Sequence, residues 1–322
     1  MNTQTAKDDH HDHHHKPFSA LVFFVTILVT LGGYFLAVRL ITPVLWHEQW
    51  KASFWKWFAT FNVFHFLYGL FEGPFHRYVL RSKFLWFGHL HTQHSRHHDL
   101  TRIGINGMEE VHNEYAIEKE HQHEASYFPG YSLAAFIGLS WIVVVPLQHI
   151  LPSWPICLGS VLALSWSLSL YEIVHMIEHL PRETFWDPKL KHQSIWVRRF
   201  WTRLYTPHLR HHENIWTNEN ISGFYTIPVW DILMNSYARW KVAYAHKQKV
   251  SREEFKAGLP RRNLILRFLD WGHLEARHRA SLREEEVRAR NKRKLDRAIK
   301  KAKKASARAE AKARKTRPHL VA

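Results

Sequence analysis

Apolar residues in this chain fall into four long blocks separated by polar, histidine- and tryptophan-rich stretches. Phe18 to Val38 is 21 residues without a charge. As a helix rising 1.5 Å per residue it spans about 31 Å, the thickness of a bilayer's hydrocarbon core. Its length and flanks suit a retained span better than a cleaved signal peptide. Ala52 to Phe71 is a second, aromatic-rich block, with Lys56 near its start and His65 inside it. Gly130 to Ile150 is a third. Trp154 to Met176 is a fourth, and its end runs polar through Glu172, His175 and His179. The pattern predicts an all-α integral membrane protein with four transmembrane helices. The chargeless link Leu151-Pro152-Ser153 suits a tight turn on the non-cytoplasmic side. Lys and Arg follow the second and fourth blocks, so the positive-inside bias places both termini and the polar segments in the cytoplasm. Two long helical hairpins that do not fully cross the bilayer would satisfy the same hydropathy.

The polar stretches change the picture in two ways. Pro181 to Ala245 carries Trp186, Trp196, Trp201, Trp216, Trp230 and Trp240. Trp favours membrane–water interfaces, so this stretch reads as helices lying against the cytoplasmic end of the bundle. From about Ser281 the sequence is Ala, Lys, Arg and Glu, all good helix formers. Residues 277–317 hold 18 basic and 5 acidic side chains, +13 of the chain's net +17. The chain thus divides into a polar tail (1–17), a membrane-embedded body (18–245) and a basic helical extension (246–322). The extension could lie on anionic lipid headgroups, dock an acidic electron carrier, or simply be a solvated helix. Nucleic-acid binding is not expected, because no groove-reading motif accompanies the charge.

Histidine carries the candidate chemistry. There are 27 His and a single cysteine, Cys157, so an intrachain disulfide, a Cys-based zinc ribbon and an iron–sulfur cluster are excluded. His10, His11, His13, His14 and His15 lie in the polar tail and are set aside. Four clusters remain: His76 beside Arg77; His89, His91, His94, His97 and His98 in HLHTQHSRHH; His175 and His179 in YEIVHMIEH; and His208, His211 and His212 in HLRHH. H-x-x-H-H places imidazoles at i, i+3 and i+4, and H-x-x-x-H places two at i and i+4, in each case on one helix face. Facing helices that project such rows can enclose metal ions, and imidazole suits iron, zinc and copper. Outside residues 1–17, at about 7% His, chance gives H-x-x-H-H about 0.1 times, and it occurs twice. Glu172 shares a stripe with His175 and His179, and Glu178 lies beside them. Both carboxylates read as partners that orient ligand imidazoles, or as snorkelling groups, rather than as ligands. Taken singly, His65, His89, His112, His121, His123, His149 and His192 are as readily structural.

The ordered set H-R, H-x-x-H-H, H-x-x-x-H and H-x-x-H-H resembles the fatty acid hydroxylase superfamily, which includes sterol desaturases, fatty acid hydroxylases and carotenoid hydroxylases. The stretch NENISGFYTIPVWDILMNSY resembles the segment after that family's last His box, through Asn220, Gly223, Trp230 and Asp231. The resemblance spans Glu72 to Tyr237. It implies four transmembrane helices capped by a cytosolic dimetal centre of two irons. It also implies use of O2 and two electrons to hydroxylate or desaturate a lipid C–H bond. Carried over by position, the ligands would be His76, His94, His97, His98, His175, His179, His208, His211 and His212. One departure stands out: the first box usually ends in a second His, and Arg81 occupies that place. His91 or His89 would then supply the nitrogen. His91 is preferred, because it precedes His94 by three residues and continues its face.

No G-x-G-x-x-G follows a strand pattern and no cysteine set is present, so electrons would come from a separate donor protein. A membrane metal-ion transporter or metal-binding protein is the rival reading, and its signature would be polar ligands spread through several spans. A three-box fatty acid desaturase is another, but the H-R start and the N…G…W-D ending favour the hydroxylase group. The zinc-protease motif H-E-x-x-H is absent.

Overall fold

The computed structural model describes residues 20–81, 87–119, 122 and 126–273. The histidine-rich N-terminal tail, His121, His123 and the basic run 277–317 lie outside the described residues.

Five helices build the membrane-facing part: α1 (Ala20–Ile41), the short α2 (Pro43–Trp50), α3 (Phe54–Pro74), α5 (Ser132–Ile150) and α6 (Ile156–Glu178). Three of them, α1, α5 and α6, are long and apolar enough to cross a membrane. The second sequence block forms α3, which is long enough, but Lys56, Asn62, His65 and its Trp and Tyr residues dilute its hydropathy. Helix α6 is the centre. Within the apolar windows, 67% of its residues are buried against 11% for α1, and it packs on α3, α5 and α1. Helix α1 is apolar all round, exposing Leu21, Leu28, Val29 and Leu40. A helix of that kind is stable against lipid rather than water.

Polar side chains close the far end of the bundle. Gln148 Oε1 accepts from Cys157 N at 3.0 Å and Gln49 Oε1 from Leu158 N at 2.8 Å. Lys56 Nζ donates to the Ser153 carbonyl at 3.1 Å. These bonds hold the α5–α6 turn predicted at residues 151–153 and satisfy amides that would otherwise be orphaned at a helix start.

At the opposite end a cap assembles from α4 (Gly88–Leu100), α7 (Asp187–Leu190), α8 (Ile195–Glu213), α9 (Val229–Met234) and α10 (Arg252–Lys256). The all-α expectation misses one feature. Strands β1 (Ile103–Ile105) and β2 (Val111–Asn113) form an antiparallel pair in which Gly104 faces His112. Three-residue strands leave too short an alternation to read from sequence. Ile103, Val111, Tyr115, Trp186, Tyr205, Leu209, Trp240 and Phe255 form the cap's apolar core. The compact unit runs through Asn263, past the Ala245 boundary suggested by composition. One reason is visible in Arg210, whose guanidinium donates to the carbonyls of Phe255, Lys256 and Ala257. Residues 264–273 begin a second unit and are helical.

Helix α3 meets the segment 218–231 at close range. A Cβ on Gly69 would lie 2.7 Å from the backbone of Gly223, which itself holds φ +52°. Gly69→Ala is therefore expected to destabilise the protein by about 1–3 kcal/mol through overpacking against backbone. Gly138→Ala, on an open face of α5, is expected to raise stability by about 0.4–1 kcal/mol. Thermal unfolding of both variants in detergent checks the opposite signs.

Candidate metal centre

Four elements bring the histidines together. A π-helical turn, Phe75–Val79, follows α3 and buries His76 and Arg77. Helix α4 carries His94, His97 and His98, the end of α6 carries His175 and His179, and the second half of α8 carries His208, His211 and His212. Among the described residues they form two groups, each able to hold a metal ion. One is His76, His94, His98 and His211, and the other is His97, His175, His179 and His208. His212 joins the second, with its Nε2 3.2 Å from His208 Nε2. Each H-x-x-H-H motif splits in the same way. Its i and i+4 rings serve one group and its i+3 ring the other. The groups adjoin, because His98 stacks on His212 with ring centres 4.2 Å apart.

The hydrogen bonds fix which nitrogen of each ring faces the centre. His76 Nδ1 lies 2.9 Å from the carbonyl of Glu219, His179 Nδ1 2.8 Å from that of Tyr115, His211 Nδ1 2.7 Å from that of Thr217, and His212 Nδ1 2.7 Å from that of Thr101. A carbonyl only accepts, so Nδ1 carries the proton in all four, and Nε2 is left with a bare lone pair. His97 follows the same logic: its Nδ1 lies 2.8 Å from Ser126 Oγ, whose own proton goes to the Gln122 carbonyl.

These lone pairs converge. His76 and His94 bring their Nε2 atoms to 3.1 Å, and His179 and His208 to 3.1 Å. A proton on His208 Nε2 can serve one of its two neighbours, His179 or His212, but a cation serves all three. His97 Nε2, His211 Nε2 and both nitrogens of His98 are buried with no hydrogen-bond partner. Each such orphan costs about 1–3 kcal/mol. Two nitrogens about 2.1 Å from one metal ion lie about 3.0–3.4 Å apart, so the observed spacing fits shared metal ions. Burial holds His76 down to about 3, and the rings of His94, His97, His98, His179, His208, His211 and His212 well below their ordinary value, so all stay neutral. Neutral imidazole is the form that binds metal.

The remaining sequence candidates are placed differently. His91 lies outside both groups, with Nδ1 3.1 Å from the Leu80 carbonyl. His89 points to the Tyr131 hydroxyl at 2.7 Å. Neither supplies the nitrogen expected at Arg81, and Arg81 has a different task. It donates to Glu219 Oε2 at 2.9 Å, while Arg77 donates to Glu219 Oε1 at 2.7 Å. Both guanidiniums lie over the Trp216 ring. Burial pushes Glu219 up to about 7 against the lowering pull of Arg81 and Arg77. Glu178 Oε2 lies 3.9 Å from His208 Nδ1, too far for a hydrogen bond, and both atoms are buried without a hydrogen-bond partner. Glu172 instead accepts the Phe128 amide at 2.9 Å.

Asn220 and Asp231, marked by the motif resemblance, support the centre together with Glu72 and Glu219, which sequence reasoning did not single out. Asp231 accepts from the amides of Glu219 and Asn220, and Asn220 Nδ2 donates to the Gly69 carbonyl. Glu72 accepts from the Ile221, Ser222 and Gly223 amides. Together they hold the Glu219 carbonyl under His76. The cluster N-E-N before G…W-D is the signal that could have pointed to them.

No family model, characterised protein or solved structure matches the chain.

Two outcomes follow. Removing His179 is expected to deprive one group of its metal while the other keeps its own, and His91→Ala is expected to cost neither, as read by elemental analysis of purified protein. The metal-stripped protein should also lose stability in acid. Folded rings resist protonation while unfolded ones titrate near 6.5, so below that pH the unfolded chain binds more protons and folding weakens. Unfolding midpoints between pH 7.5 and 5 should fall steadily, and a flat profile would contradict the burial of the rings.

Proposed function

We propose that this chain is a membrane-bound dimetal oxygenase that inserts oxygen into, or desaturates, a C–H bond of a lipid such as a fatty acyl chain, sterol or carotenoid. One observation carries the reading: nine imidazoles, mostly buried, from four separated segments direct their nitrogens into two adjoining groups. Bound there, two irons would supply O2 activation and two-electron oxidation. In this reading α3 is the fourth span, because it exposes Phe54, Trp55, Phe58 and Val63 to the surroundings. The termini and the metal centre then share the cytoplasmic side.

The chain's own residues would do the positioning. A pocket between Leu80, Leu90, Phe128 and Tyr171 ends on His94, His97 and His175. Its apolar walls suit a hydrocarbon, and its imidazole floor draws on both groups. At about 30 Å³ it has room for roughly one methylene-sized group. That closeness favours attack at one carbon. The carbonyls of Glu219, Tyr115, Thr217 and Thr101 hold the Nδ1 protons of His76, His179, His211 and His212, which would keep these four rings in one tautomer. Reducing equivalents come from a separate donor protein, since the chain has one cysteine and no dinucleotide motif.

Lipid mass spectrometry of cells with and without the gene tests this. Gain of one oxygen in a lipid class indicates hydroxylation, and loss of two hydrogens indicates desaturation. Either change is expected to vanish in His97→Ala and His208→Ala and to persist in His91→Ala. An unchanged lipidome beside altered metal tolerance would replace this reading with metal transport.

A further inference from the structure

Helix α8 does two things along its length. Its second half carries the three metal-group histidines, and its first half lines a separate cleft of about 530 Å³ bounded by Arg198, Arg199, Thr202, Arg203, Arg239 and Lys241. That volume lies within the range of small-ligand pockets. Five of these residues are cations, no acidic side chain lines the cleft, and none of the five is in an ion pair with a carboxylate among the described residues. The arrangement is also unfavourable by itself. The first turn of α8 has no acidic residue, so Arg198 and Arg199 add positive charge to the positive end of the helix dipole. An anion in the cleft relieves both.

The surroundings say which kind of anion. Four of the five cations are arginines, whose planar forks match phosphate oxygens. Trp196 and Phe200, four residues apart on one face of the same helix, are 73% and 58% exposed. An exposed Trp–Phe pair beside arginines is the composition of a helix lying at a bilayer surface, rings toward acyl chains and guanidiniums toward headgroups. We propose that this cleft binds the phosphate headgroup of an anionic phospholipid of the surrounding bilayer. It would thereby set the depth and tilt of the helix that presents His208, His211 and His212. The inference rests on the membrane placement of the chain but not on its oxygenase chemistry.

Native mass spectrometry of the full-length, metal-loaded protein in detergent tests it, with equal amounts of phosphatidylglycerol and phosphatidylcholine added. The wild type is expected to retain phosphatidylglycerol preferentially. Arg203→Ser/Arg239→Ser is expected to cut that preference about thirtyfold, from two cations at about 1 kcal/mol each, and Arg203→Lys/Arg239→Lys to cut it by a smaller factor, because the charges stay while the planar forks are lost. Residues 277–317 are the same in all three proteins, so any difference reports the cleft. Metal content serves as the folding control and should not change. Equal retention in all three proteins would overturn the proposal and assign lipid binding to another basic surface. Binding of inorganic phosphate with no lipid preference would overturn it in favour of a soluble phosphate ligand. Unchanged lipid retention with lost reduction by an electron-donor protein would overturn it in favour of an acidic protein surface.

Discussion

Everything at the cap end answers to one electrostatic constraint. Neutral imidazoles from distant segments are packed so that their lone pairs face one another at 3.1–3.2 Å. Without a cation a ring proton can bridge only some of these nitrogens, and the others are unmet acceptors in a medium that cannot hydrate them. With a cation in each group the same geometry becomes strongly favourable, because each nitrogen gains a bond in place of an unmet one. Metal bound in these groups would therefore be coupled to the folding of the cap. The parts of the chain that seem remote from the centre make sense as devices to hold the rings in that arrangement.

The most elaborate of these is the segment after α8. Asp231, Asn220 and Glu72 pin the backbone of residues 219–223 against α3, and the Glu219 carbonyl then sets the tautomer of His76. The Glu219 carboxylate holds Arg77 and Arg81 on the far side. A buried carboxylate between two guanidiniums contributes little net stability, but losing one partner leaves an unpaired charge in the interior. Its effect here is geometric. It locks the π-helical turn that carries His76, and so fixes where the first group begins. Arg81 is part of the frame around the metal groups, and the first group consists of four imidazoles.

Helix α8 ties the two ends of this logic together. Its arginines and exposed aromatics face the outside, and its histidines face the inside of the same cap. One 19-residue helix, with Pro207 between its two halves, thus joins the basic cleft to three rings of the metal groups.

The sequence by itself determined the apolar blocks, the turn at residues 151–153 and nearly the whole set of candidate ligands. Hydropathy needs only about 20 consecutive residues, and H-x-x-H-H fixes which side chains share a helix face through backbone geometry alone. The motif resemblance also marked Asn220, Gly223, Trp230 and Asp231. Tertiary structure decided the rest. Spacing along a helix cannot say that i and i+4 serve one group while i+3 serves the other, because that depends on which helix lies opposite. It cannot show that His91 and His89 turn to Leu80 and Tyr131, or that Arg81 is claimed by Glu219, since both outcomes are set by partners 11 to 138 residues away. Ring tautomers, the β1–β2 pair and the basic cleft are of the same kind. Each arises from contacts between segments that no local pattern records.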